Sequence, residues 1–220
     1  MNVPVLQCIL GFILLTVDGT TGCRKELFSE RLGRYPDSWR ILRNTSDQYL
    51  LAFYSTNPKT GSNQMCLRTI SRRLDQTKPW TSKLVYGHTW DNKTLRSGTV
   101  KVGITKTNET LVFDDAFNTT YKEQVPKQEF VFQDKHDISQ IIYTNFRNCI
   151  VMYSKLLGYQ VWVKKEPSTA IVKIPYLCTF LYEACAGRRK HWAYDWNICP
   201  KIRPKETPNN GHTRKPRSIK

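Results

Sequence analysis

NCIVMYSKLLGYQVWVKKEPSTAIVKIPYLCTFLYEACAG, residues 148–187, holds two short runs of β-branched and aromatic residues, then a helix-like segment that carries cysteines. Cys149 opens the first run, Cys178 and Cys185 stand seven apart in the helical segment, and Cys199 follows it. Positions seven apart share one face of a helix, so both can reach into neighbouring strands. With Cys23 and Cys66 these make six cysteines once an N-terminal leader is set aside. An even set of thiols behind a secretory leader reads as a disulfide framework, because oxidising compartments preserve such bonds and the cytosol reduces them. Six cysteines allow fifteen pairings, and spacing alone leaves them open.

The leader is VPVLQCILGFILLTV, Val3 to Val17, too short to span a bilayer and followed by small and polar residues suited to cleavage near Gly19 or Gly22. Cys8 is lost with it. No second apolar run is long enough to cross a membrane, so the expected product is secreted and extracellular, without a membrane span. The chain divides into a signal peptide at 1–22, one domain at 23–199 and a tail at 200–220, a length that supports one sizeable core. Asn-x-Ser/Thr sequons at Asn44, Asn92, Asn108 and Asn118 agree with export and are expected glycosylation sites.

From Cys23 onward, 34 Lys or Arg face 17 Asp or Glu, a formal balance of +17. Seven of the basic residues and one Glu fall in PKIRPKETPNNGHTRKPRSIK, residues 200–220, with four prolines and little to bury. That composition reads as a disordered basic tail, either solvating or an arm for sulfated glycans, anionic lipid or nucleic acid without sequence specificity. Without it the body still balances to +11.

Working back from the quoted stretch, strand-like runs occur at 47–56, 64–72, 82–90, 99–105, 109–115, 128–133, 138–145, 149–154 and 159–165, punctuated by Gly, Pro, Asn and Asp. This is an all-β meander with one run more than an eight-stranded antiparallel barrel needs; 109–115 is the one read as a strand extension or loop. Closing such a sheet removes its edges and leaves an interior for one small ligand. A short helix is expected around Tyr35–Leu42, with Asp37 near its start as a cap and Trp39 and Leu42 on one face. A second begins at Pro175 and stops at Gly187.

Asp37-Ser38-Trp39 on a short helix, Gln48-Tyr49-Leu50-Leu51, the step from Asn148-Cys149-Ile150-Val151 to Tyr159-Gln160-Val161-Trp162, and the Ile174-Pro175 entry into a helix bearing Cys178 resemble the tick salivary lipocalins, the histamine-binding protein family. The resemblance covers about residues 33–199; Phe180 stands two residues after Cys178, closer than the family pattern. It implies an eight-stranded lipocalin barrel with a C-terminal helix packed outside. It also implies disulfides Cys66–Cys199 and Cys149–Cys178, which leaves Cys23 for Cys185.

Members of the family sequester small host mediators, above all histamine and serotonin. A protonated amine taken into a low-dielectric barrel needs carboxylates and aromatic faces beside it. The family places Asp directly after the cysteine of the penultimate strand and Glu-Leu before the aromatic of the last. Here Ile150 and Gln160 stand at those positions, only Trp162 keeps its type, and Ser55–Pro58 also lacks an acid. A lipid or eicosanoid is therefore the favoured guest over a biogenic amine, with an Arg or Lys at the mouth to meet its carboxylate. The candidate ligand-binding residues are Trp39, Phe53, Trp90, Phe113, Phe132, Ile150, Gln160 and Trp162.

A second class of function is a protein-binding inhibitor of complement, platelets or clotting, acting on a host plasma protein through the segment Asn118–Lys127 and the basic tail. No Arg-Gly-Asp is present. An enzyme is not expected: His88, His136, His191 and His212 are scattered, no zinc-type spacing survives once the thiols are paired, and neither a cofactor nor a metal is implied. Gly87-His88-Thr89-Trp90 reads as strand, and His136-Asp137 as a turn.

Overall fold

The computed structural model describes residues 23, 25–56, 65–73, 81–89, 96–109, 111–124, 132–166 and 173–202. The leader, Trp90, Asn92 and the tail beyond Ile202 lie outside the described residues. Eight antiparallel strands follow one another as neighbours: β1 Gln48–Tyr54, β2 Met65–Arg73, β3 Thr81–Thr89, β4 Arg96–Thr105, β5 Ala116–Gln124, β6 Phe132–Thr144, β7 Cys149–Ser154 and β8 Gly158–Lys164. β1 pairs with β8 along its length (Leu51 opposite Trp162) and with β2 at Gln48–Ile70, Tyr49–Thr69 and Leu50–Arg68, so the sheet curls back on itself.

Among the described residues three helices decorate this sheet: α1 Lys25–Leu32, α2 Ser38–Leu42 and α3 Tyr176–Ala186. In α2 the Asp37 carboxylate caps the first turn by accepting from the Arg40 N–H at 2.9 Å. Ser38 donates to the Asp114 carbonyl and Ser71 Oγ donates to the Leu42 carbonyl at 2.7 Å, so α2 closes one end of the curled sheet. α3 starts after Pro175 and stops at Gly187, whose φ of 75° is the left-handed region that glycine enters without penalty. α1 was not expected. Its sequence KELFSERL carries too narrow an apolar stripe to announce a helix, and Cys23–Cys185 ties it down.

The sheet has two separately packed faces. Inside lie Leu42, Tyr49, Leu51, Tyr54, Val102, Phe117, Ile141, Ile150, Met152 and Trp162. Outside, under α3, lie Leu50, Ala52, Phe53, Ile142, Tyr143, Val151, Val161, Val163, Leu181 and Tyr182. The half-cystines pair as Cys23–Cys185, Cys66–Cys199 and Cys149–Cys178, the arrangement the resemblance implies, and all six sit in or against the outer cluster. A ninth strand, β9 His191–Trp192, pairs with Phe53 and Tyr54 on the edge of β1 that β2 does not cover. The β1 backbone there finds partners it would otherwise lack: the Ala52 carbonyl accepts from the N–H groups of Ala193 and Tyr194.

Three stretches differ from the sequence expectation. The segment 118–127, expected as a loop, is strand through Gln124: β5 pairs Thr119 with Asp137 and Gly103 with Asn118. Its alternation is written in Thr, Asn and Tyr rather than apolar residues, which hides it from a hydrophobic pattern. The runs 128–133 and 138–145 join, from Phe132 onward, into one strand, β6, with residues 128–131 outside the described set. His136 and Asp137 therefore lie in mid-strand and not in a turn. The surplus run 109–115 is a connection between β4 and β5. The Asp115 carboxylate, 2% exposed, pins that connection by accepting from Thr107 N at 2.6 Å and from Gln140 Nε2 at 3.0 Å.

Candidate functional site

Side chains pointing inward from β1, β2, β5, β6, β7 and β8 enclose a cavity of about 180 Å³. Its walls are chiefly apolar: Ile41, Leu42, Phe117, Ile150, Met152, Leu157 and Trp162. Polar groups enter at Tyr49, Ser71, Ser139, Ser154, Gln160, Asp47 and Asp137. The lumen thus holds two carboxylates that the sequence reading, which found no acid at the expected positions, did not place there.

Asp47 lies at the α2 end and is already matched: Lys164 Nζ approaches its carboxylate to 2.6 Å and Asn44 Nδ2 donates at 2.7 Å. Burial, reinforced by Asp47, pushes the Tyr49 phenol well above its usual range, so it stays protonated and available as a donor. Asp137 lies at the other end, beside the β7–β8 turn, where burial raises its carboxyl above the ordinary value. The backbone N–H groups of Lys155 and Ile138, the Lys155 charge and the Ser154 hydroxyl oppose that rise.

A chain of hydrogen bonds runs along the wall between them. Trp162 Nε1 donates to Gln160 Oε1 at 2.9 Å; Gln160 Nε2 donates to Ser154 Oγ at 2.8 Å and to the Gly158 carbonyl at 3.3 Å. Gln160 is 3% exposed and satisfied on both its oxygen and its nitrogen, which fixes which way its amide points. A glutamate there could donate to neither Ser154 nor Gly158. Gln160→Glu, although it restores the acid of the family pattern, is therefore expected to lower stability by about 1–3 kcal/mol at neutral pH, as read from urea denaturation.

Of the residues expected at the site, Ile150, Gln160 and Trp162 line the cavity together. Trp39 is half-buried against the inner cluster without reaching the cavity wall. Phe53 is a correction. A register shift between Leu51 and Phe53 breaks the alternation of β1, and Phe53 turns outward, 0% exposed, edge-on to Tyr182 at 4.8 Å and to Trp192 at 5.0 Å. Phe113 is a second correction: it stands in the β4–β5 connection, 48% exposed, beside a smaller surface hollow with Tyr35 and Pro36. Phe132 is in β6 with its side chain outside what is described, and Trp90 is outside altogether. The alternation of β6 carried the signal for Asp137 and Ser139, masked by the turn assigned at His136. Among the described residues no cluster of three or more His, Cys, Asp or Glu is placed to hold a metal ion.

Residues 28–201 match a family model described as tick histamine binding protein. Among solved structures the chain is similar to AM182, solved in complex with serotonin, at 15% identity and a TM-score of 0.50 over 76% of this chain and 94% of that one. It is also similar to apocrustacyanin C2, at 12% identity and a TM-score of 0.46 over 79% and 88%. Lobster apocrustacyanin A1 matches at 12% identity and a TM-score of 0.41 over 74% and 80%. No curated protein matches in sequence.

Proposed function

This chain belongs to the tick histamine-binding protein family, and from that premise and its geometry we propose that it is a secreted binder, not an enzyme, that captures one compact ring-bearing molecule in the lumen. The observation that carries the reading is the cavity: about 180 Å³, walled by apolar side chains, with an immobilised Trp162–Gln160–Ser154 network on one wall. A void of about 150 Å³ takes a benzene ring, so the volume suits a ring with a short arm. The biological counterpart is removal of a small host mediator released in defence or inflammation. Paired half-cystines agree with an extracellular setting. Asn108 and Asn118 are exposed and open to glycosylation, whereas the amide of Asn44 is engaged with Asp47.

The apolar walls favour a fatty acid or eicosanoid as the second reading, and magnitudes weigh against it. Scaled from the benzene case, a twenty-carbon chain would need roughly 500 Å³, and most of it would remain in water. Among the described residues at the lumen, the lysine that could meet its carboxylate, Lys164, is engaged by Asp47. Isothermal titration of the mature protein with histamine, a small ring with a two-carbon arm, and with oleate decides between them. Saturable one-to-one binding of histamine is expected, with little or none for oleate; tight binding of oleate alone would reverse the assignment.

A further inference from the structure

The two lumenal carboxylates are not equivalent. Asp47 is held by a lysine and an amide inside the protein. Asp137 shares the inward face of β6 with Ser139 and Ile141 and lines the cavity. Its partners are the backbone N–H groups of Lys155 and Ile138 and the Ser154 hydroxyl, whose proton is committed by counting: Ser154 Oγ already accepts from Gln160 Nε2 and from the Leu157 N–H, so its one hydrogen is left for Asp137. The tryptophan, the glutamine, the serine and the aspartate thus form one aligned series. Among the described residues the charged and titratable groups around Asp137 are few. Lys155 faces it from the β7–β8 turn. From β5, Thr119 donates to its backbone carbonyl. The adjacent His136 points to the other face of the sheet, where its ring bonds Thr120.

Resting on the reading of the lumen as a ligand site, we infer that Asp137 is the counter-charge for a protonated amine carried on a short arm from an aromatic ring. It takes over from β6 the task that Ile150 and Gln160 cannot perform from β7 and β8. The apolar wall of Phe117, Ile150, Met152 and Trp162 receives the ring, while the ammonium replaces water at the Asp137 carboxylate. Burial raises the Asp137 carboxyl in spite of those partners, so an arriving cation offsets the part of the desolvation cost that they leave. A charge-assisted hydrogen bond in such surroundings corresponds to about ten- to a hundredfold in affinity.

The test is calorimetry of the full mature chain with phenethylamine and its uncharged isostere 2-phenylethanol. Wild type is expected to prefer the amine by about tenfold or more. Asp137→Asn is expected to lose about ten- to a hundredfold for the amine and to hold the alcohol within about twofold, which also reports that the lumen is intact; Asp137→Glu should keep part of the preference. An Asn variant that still prefers the amine as wild type does overturns the role of Asp137 while leaving the lumen a ligand site. Wild type that takes up neither molecule overturns the ligand site itself.

Discussion

Phe53→Ala is expected to lower the free energy of unfolding by about 3–5 kcal/mol while leaving the affinity of the folded protein for its ligand within about twofold. The ring is wholly buried on the outer face of the sheet, edge-on to both Tyr182 and Trp192, with Lys190 Nζ 5.5 Å above its centre. Its removal leaves a void between β1, α3 and β9 that no neighbour can fill without moving the backbone. Those contacts also hold Tyr182, whose hydroxyl donates to the Arg189 carbonyl at 2.7 Å and anchors the turn after α3. Guanidinium denaturation measures the loss, and calorimetry well below the melting transition measures the affinity. A Phe53→Ala protein that stays stable and stops binding would return Phe53 to the lumen and undo the two-faced description of β1.

The second large effect is expected from Cys66→Ala with Cys199→Ala. The bond links residues 133 apart in sequence, against 29 for Cys149–Cys178. On the chain-entropy account the longer loop is worth about 5 kcal/mol and the shorter about 3.5. Cys199 also brings Ile198 and Ile202 onto the outer cluster, so its loss loosens the whole segment that follows β9. Paired denaturation curves for the two double variants check the order. Equal losses would mean that native packing around the sulfurs, not loop length, sets their contribution.

Much of the scaffold could be read from residues because its signals are local. Asp37 before a short helix, Pro175 and Gly187 at the ends of α3, and apolar alternation in β7 and β8 each act within a few positions and survive in the structure. β5 escaped because its inward residues Phe117 and Thr119 are interleaved with Asn118 and Thr120, polar on both faces. The lumen was legible at Ile150, Gln160 and Trp162, the positions that the family resemblance supplied. It was illegible where one residue of slip reverses the face. The register shift in β1 sent Phe53 outward, and a turn placed in the middle of β6 removed Asp137 and Ser139 from view. Reading the acids of the lumen at the family's positions alone made it look uncharged; the carboxylates arrive from the segment after α2 and from β6.

The six paired half-cystines belong to the helix-covered side of the sheet, and none of them borders the lumen. A substitution at Ile150 or Thr119 therefore does not touch the covalent links that hold the strands in register. Such a division lets the lining drift from one guest to another during evolution while folding competence is retained, since the margin against unfolding is maintained elsewhere in the molecule.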